Sequence, residues 1–318
     1  METKIIVSAS DAGQRLDKFL LSIFRQYSRA FLKNNIKQGN FLVNNKKVKP
    51  SYLLKTDEQI SLAPNFILPK ETTILPNPEI KLKIIYEDDD VIVIDKPAGL
   101  ITHPRQDKNG LPIASEIKNT LASALLAYYP PLASVGDSPA LRPGIVHRLD
   151  KDTSGIMIFA KNQKSFMFLK KQFQEKKVRK KYLALVLGHL KEKSGQVKTS
   201  LIRSKSNPTK QKITQKGGKE AITEYRLKKE INNYSLLEVF PKTGRLHQIR
   251  VHFAWLGHPI AGDKKYGHRQ QKKDFFPRQF LHAAELVIKL PNGAKKTFFS
   301  PLPTDLVNVL NALEKSQK

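Results

Sequence analysis

The stretch that constrains this chain most is His147-Arg148-Leu149-Asp150-Lys151-Asp152-Thr153-Ser154-Gly155, set directly before the apolar run Ile156-Met157-Ile158-Phe159-Ala160. An uninterrupted apolar run of this length, bounded by Ser and Gly, reads as a buried strand. Gly144-Ile145-Val146 reads as a second β-type run on the other side, which makes the polar segment a loop at the edge of a sheet. Such loops, held by a rigid scaffold, are where reactive groups are usually placed. The plainer alternative is a solvated turn in which the Asp and Thr side chains bond nearby backbone.

Charge narrows the choice of partner. Among 318 residues there are 56 Lys and Arg against 28 Asp and Glu, a formal charge of +28. That imbalance calls for a polyanion, nucleic acid before an anionic membrane surface. No apolar run approaches the ~20 residues of a spanning helix, and the N-terminus lacks a signal-peptide pattern. A soluble, cytoplasmic protein is expected. The absence of cysteine excludes disulfides, thiol nucleophiles and cysteine-ligated zinc.

Leu16, Phe19, Leu20 and Ile23 fall at helical spacing, with Arg15, Lys18 and Arg25 left to solvent. Ser28 reads as the N-cap of a second helix carrying Phe31, Leu32 and Ile36, ended by Gly39. Residues 41–48 read as a hairpin around Asn44-Asn45, and 58–62 as a further strand. Pro64, Pro69, Pro76 and Pro78 then mark a linker, dividing the chain into 1–63, a linker 64–78, and 79–318. Beyond it, 84–86 and 91–95 read as paired strands, 113–126 as a helix, and Phe166, Leu169 and Phe173 as one helix face. Residues 180–186 alternate like a strand, and 203–219 form a basic, turn-rich loop suited to phosphate. Two paired strands follow at 221–228 and 234–240. Leu246, Ile249, Phe253 and Leu256 then seat a helix on which His247 and Arg250 share a face. His247, His252 and His258 lack metal-ligand spacing and interleaved acids, so no metal is expected. Two strands and a terminal helix close the chain.

The string from His147 to Gly155 resembles the signature of the RluA-type pseudouridine synthases, with Asp150 at that family's catalytic aspartate. Protein kinases also carry a His-Arg-Asp loop, but Leu149 separates Arg148 from Asp150 and no Gly-rich phosphate loop accompanies it. Asp95-Lys96-Pro97-Ala98-Gly99-Leu100 resembles the family's second motif. Lys180-Lys181-Tyr182-Leu183-Ala184-Leu185-Val186 resembles the motif whose tyrosine packs against the target base. Gly244-Arg245-Leu246-His247-Gln248-Ile249-Arg250 resembles the third motif, whose closing arginine pairs with the aspartate. Residues 13–62 resemble the small α-L RNA-binding domain of a ribosomal small-subunit protein. Tyr128-Tyr129-Pro130-Pro131 and Pro208-Thr209-Lys210 look most like the RluD-like branch, which modifies large-subunit ribosomal RNA.

The resemblance implies an α+β fold: a small N-terminal α-L RNA-binding domain, then a mixed, mainly antiparallel β-sheet catalytic domain with flanking helices. It implies conversion of uridine to pseudouridine with no cofactor. The partner would be RNA, large-subunit ribosomal RNA or a ribosomal particle, with no membrane and no DNA. Asp150, Tyr182 and Arg250 would be catalytic. Arg148, His147, Arg245, Arg15, Lys18, Arg29, Lys46 and Lys47 would contact RNA, with Arg245 a rival to Arg250 as the partner of Asp150. An RNA-binding assembly factor would share the charge but has no need of Asp150, Tyr182 and Arg250 together. A glycoside hydrolase would want a second carboxylate across a cleft, and Asp152 lies too close in sequence to be presumed that partner.

Overall fold

The apolar spacing of the first helices is realised as a small core. The computed structural model describes residues 4–24, 26–69, 73–204, 206–267 and 275–316, so Arg25 lies outside the described residues. Contacts divide the chain into two units, one of Met1–Lys81 with His103–Ile145, the other of Leu82–Thr102 with Val146–Lys318.

The first unit holds β1 (Lys4–Ile6), α1 (Leu16–Ile23), α2 (Arg29–Gln38), β2 (Phe41–Val43), β3 (Gln59–Leu62) and α3 (Leu121–Tyr128). Leu16, Leu20, Leu32 and Ile36 are fully buried between α1 and α2, whereas Ile23 at the helix end is 42 % exposed. Ser28 caps α2 by accepting the Phe31 N–H at 3.1 Å, and Gly39, at φ +88°, ends it in the left-handed region. The three strands form an antiparallel sheet in the order β1-β3-β2. The expected hairpin over 41–48 therefore has only one strand arm. Asn44 and Asn45 turn the chain at positive φ, a single Val43–Lys46 bridge closes the turn, and β2 pairs with β3 instead. The other arm is Lys-rich and exposed, so pairing there would bury little. The helix expected over 113–126 is likewise broken. After one 3₁₀ turn at Ala114–Glu116, α3 starts only beyond Thr120, whose hydroxyl accepts the Ser123 N–H at 3.0 Å and so caps a new helix.

The second unit contains β4 (Ile84–Glu87), β5 (Val91–Lys96), β6 (Ser154–Ala160), α4 (Gln163–Gln174), β7 (Arg179–Leu187), β8 (Ser194–Arg203), β9 (Gln211–Thr214), β10 (Lys219–Ile231), β11 (Tyr234–Pro241), α5 (Gln248–Trp255), β12 (Leu281–Lys289), β13 (Lys295–Phe299) and α6 (Thr304–Lys315). Its ten-stranded sheet runs β4-β5-β6-β12-β7-β11-β10-β8-β9, with β13 also paired to β12. Among the described strands only β6 and β12 are parallel, so the sheet is mixed and mainly antiparallel. Gly144-Ile145-Val146 is not a strand, and the polar loop enters β6 from irregular chain. Every residue of β6 is buried. Gly155, at φ +115°, lies so close to β12 that a Cβ would collide with the Ala283 carbonyl oxygen. Ile249 and Phe253 seat α5 on Ala184, Val186, Leu237 and Val239 of β7 and β11. The loop before β6, the middle of β7 and the start of α5 are thereby held by one sheet. No helix among the described residues is long and apolar enough to cross a membrane.

Candidate active site

Two carboxylates share one arginine. Arg250, in the first turn of α5 and 5 % exposed, donates from Nε and Nη2 to the two oxygens of Asp263 at 2.7 and 2.8 Å. This fork-on-fork pair leaves Nη1, which donates to Asp150 Oδ2 at 2.9 Å. Burial works against the guanidinium's charge, but Asp263 and Asp150 outweigh it and hold Arg250 above its ordinary value. Burial likewise works against the Asp263 anion, and Arg250 with the Lys265 and Tyr266 N–H groups holds its carboxyl below the usual range. Asp263 is set by the turn after Gly262, where φ is +73° and a Cβ would strike the Arg278 carbonyl.

Asp150 sits with its Oδ1 unpartnered among the described residues, because Arg250 and His247 both face Oδ2, His247 Nε2 at 3.9 Å. Tyr182 on β7 is half-buried and makes no hydrogen bond among the described residues. Burial first, then the Asp150 charge, pushes its phenol well above 10, so it stays protonated. A carboxylate with one oxygen clamped and one open, beside a neutral aromatic ring, can engage a sugar carbon while the ring stacks on a base.

The loop carrying Asp150 is bonded at every residue from 149 to 154. Thr102 Oγ1 donates to Leu149 O at 3.0 Å, and the Thr153 N–H to Asp150 O at 3.1 Å. Lys151 O accepts from Lys96 Nζ and the Gly99 N–H, both at 3.0 Å. Arg278 donates to Asp152 O at 3.0 Å and to Ser154 Oγ at 3.1 Å, and Gln279 Nε2 donates to Thr153 Oγ1 at 2.9 Å. Lys96 is fully buried at the end of β5, and its Nζ also donates to the Pro97 and Leu100 carbonyls at 2.7 and 2.8 Å. Burial drives its amine down to about 7, opposed by Asp152 and Asp150. Three carbonyl acceptors nevertheless require all three ammonium hydrogens, the arrangement of a protonated lysine.

Of the residues expected from sequence, the structure brings Asp150, Tyr182 and Arg250 together. Arg245 is directed elsewhere, its Nε donating to Glu220 O at 2.9 Å, so Arg250 and not Arg245 meets Asp150. His147 belongs to the scaffold, a correction to its expected RNA contact. Its Nε2 accepts the Ile158 N–H at 3.0 Å, its ring stacks on Phe173 at 4.7 Å, and burial lowers its pKa to about 3. Arg148 is exposed on the loop. In the first unit, Asp17 is fully buried and accepts from both Arg15 and Arg29, while Lys18, Lys46 and Lys47 are exposed. Arg15, Lys33, Lys37, Lys47 and Lys49 line a cleft of about 780 Å³. Sequence reasoning gave Asp263, Lys96, Arg278 and Tyr266 no role. Lys96 left a usable signal, a lysine ending a strand otherwise apolar enough to be buried, and Asp263 closes the string 257–263, which also fits the family.

Known proteins resemble this chain along nearly its whole length. The model of a family described as RNA pseudouridylate synthase matches residues 90–255, and that of the S4 domain matches 14–60. An uncharacterized RNA pseudouridine synthase of Aquifex aeolicus is 41 % identical over 274 residues, 84 % of this chain and 80 % of that protein. The ribosomal large subunit pseudouridine synthase D of Haemophilus influenzae is 36 % identical, covering 97 % of this chain and 94 % of its own. Among solved structures, human RNA Pseudouridylate Synthase Domain Containing 1 superposes with a TM-score of 0.55 at 26 % identity, over 73 % of this chain and 94 % of that one.

Proposed function

Because the chain belongs to the RNA pseudouridylate synthase family and isomerises uridine to pseudouridine in RNA, we propose that its substrate is large-subunit ribosomal RNA. The support is that relatives similar over nearly their full length, from Haemophilus influenzae and Pasteurella multocida, are named for that RNA. Ribosomal RNA, free or within a particle, would be met in the cytoplasm. Residues 1–63 would act as the RNA-holding domain, joined through 64–78 to the catalytic domain 79–318.

The reaction breaks the N1–C1′ bond, turns the uracil, and joins C5 to C1′; C5 loses a proton and N1 gains one. Nothing is oxidised or reduced. Asp150 would act at the ribose through its open Oδ1, as a nucleophile at C1′ or a base at the 2′ carbon. The clamp of Asp263 on Arg250 keeps Oδ2 engaged and leaves Oδ1 open, which is the observation that carries this assignment. Tyr182 would stack on the detached base and retain it through its turn. The target nucleotide must leave its stack to reach the site, at a cost of a few kcal/mol, and Arg148 on the exposed side of the loop is suited to the space it vacates. The test is to incubate the purified protein with large-subunit RNA and with transfer RNA, then map pseudouridine in each. Modification confined to transfer RNA would overturn the substrate and leave the enzyme class standing.

A further inference from the structure

His247 does something its sequence motif does not explain. It starts α5 at φ +55°, a left-handed conformation that non-glycine residues seldom adopt and that persists where surrounding contacts demand it. Those contacts are polar. Its Nδ1 lies 2.9 Å from Tyr266 Oη, and its Nε2 faces Asp150 Oδ2 at 3.9 Å. Tyr266 Oη in turn accepts the backbone N–H of Gln211, at 2.7 Å. Gln211 opens β9, just past the tip of the β8–β9 hairpin. Two more contacts tie that tip to Tyr266 and to its neighbour Lys265. Lys210 Nζ stands 5.7 Å from the centre of the Tyr266 ring, and Lys265 Nζ donates to Thr209 O at 3.3 Å.

The hydrogens of this chain can be counted. Tyr266 Oη carries one hydrogen, and one of its lone pairs is taken by Gln211. Among the described residues His247 Nδ1 is the one remaining partner within reach of that hydrogen, which places the hydroxyl to donate and Nδ1 to accept. Burial holds the imidazole neutral, its pKa lowered to about 4; Arg250 and Lys265 push the same way, and Asp150 and Asp263 oppose them. A neutral ring that accepts at Nδ1 carries its hydrogen on Nε2, the nitrogen turned toward Asp150. His247, its tautomer set by Tyr266, therefore turns an N–H toward the carboxylate where the other tautomer would turn a lone pair.

We propose that Tyr266 and His247 are positioning residues that couple the basic β8–β9 hairpin to Asp150. The hairpin fixes Tyr266 through Gln211, Tyr266 fixes the tautomer of His247, and Arg250 holds Oδ2 with the His247 Nε2–H turned toward it, so that Oδ1 meets the ribose. RNA phosphate gripped at the hairpin then bears on the geometry of the catalytic carboxylate as well as on affinity. This rests on Asp150 being that carboxylate.

The test uses full-length protein labelled with ¹⁵N at histidine. In the unaltered enzyme, His247 is expected to show the Nε2–H tautomer. Tyr266→Phe keeps the ring and deletes both hydrogen bonds. It should release the tautomer and lower kcat by about tenfold, the worth of one well-placed hydrogen bond, with KM changed less than about threefold. Gln211→Pro removes a single N–H at the start of an edge strand, where proline is tolerated, and should lower kcat in the same direction by a smaller factor. An Nδ1–H tautomer in the unaltered enzyme overturns the proposal even if neither variant folds. So does a Tyr266→Phe enzyme with raised KM and unchanged kcat, which would make the hairpin a grip only. Full turnover by Asp150→Asn would instead sink the assignment beneath it, and the His247 spectrum would still stand as its own result.

Discussion

Both units bury an aspartate to hold arginine, and they put the arginine to opposite uses. Asp263 and Arg250 are both buried, and the remaining nitrogen points inward at another carboxylate. Asp17 is equally buried, but its partners Arg15 and Arg29 keep 39 % and 46 % of their side chains exposed. One carboxylate, through Arg250, engages Asp150; the other pins two cations at a surface. The ion pair is the same and the solvent is not. In a buried setting a charge must be fully partnered, so geometry is enforced and removing one partner costs about 3–5 kcal/mol. Asp17 needs its partners just as much, but Arg15 and Arg29 keep an exposed side, so each can stay paired while that side faces solvent.

The largest effect should come from Asp150→Asn. Turnover should fall to background while RNA affinity stays within a few-fold, since one charge in many is lost. Normal turnover by that variant would falsify the role assigned to Asp150. Breaking the clamp comes next. Arg250→Ala or Asp263→Ala should lower kcat by about 100-fold or more, and the stability loss of about 3–5 kcal/mol for an orphaned buried charge should appear as a fall in Tm. Arg245→Ala should leave kcat nearly intact, and the reverse ranking would exchange the two arginines' roles.

Acid should separate the two units. Burial holds His147 at about 3 and His247 and His252 at about 4, below the ordinary 6.5. The unfolded chain therefore binds protons that the native chain refuses. Stability is complete above pH 6.5 and declines as pH falls toward those lowered values, by at most about 1.4 kcal/mol per histidine per pH unit. No histidine precedes His103. Within residues 1–81 the corresponding group is Asp17, held below its ordinary 3.8 by Arg15 and Arg29 against burial, so that stability is lost only at more acid pH. Amide exchange at pH 5 should show β6, β7 and α5 losing protection before α1 and α2. Loss in the reverse order would mean that the histidines do not govern acid stability.

The smallest effects belong to the basic cleft. Lys47→Ala or Lys33→Ala should raise KM a few-fold, leave kcat unchanged, and flatten log affinity against log salt by roughly 0.7–0.9 per lost phosphate contact. Point changes are cleaner than deleting residues before Pro64, because Ser28 Oγ donates to Gly110 O at 2.8 Å and Asn34 to Lys108 O at 3.1 Å. Deletion would strip those partners from the segment after His103. An unchanged salt slope would remove the cleft from RNA binding.

Local patterns were legible in the sequence because they are repeated within a few residues. The stripe of Leu16, Phe19 and Leu20, the Ser28 cap, the apolar run of β6 and the seat of α5 each follow from spacing that a helix or strand turns into one face. The loop before β6 could be found the same way, as polar residues abutting a buried strand, but Asp150 was singled out within it only by the resemblance of that string to a family signature. Partner choice could not be read so. Periodicity says which face a residue shares and nothing about which distant group will meet it. Spacing alone could not rank Arg250 above its rival Arg245; the resemblance favoured Arg250, and Asp263, thirteen residues beyond it, comes back beside it in the fold. Lys96 reaches Lys151 across 55 residues and Arg278 reaches Asp152 across 126. His147, at the head of the signature string, was drawn inward because the Ile158 N–H needed an acceptor and Phe173 offered a ring. A buried donor or charge must find its partner within about 3 Å, and only the folded sheet decides which groups come that close.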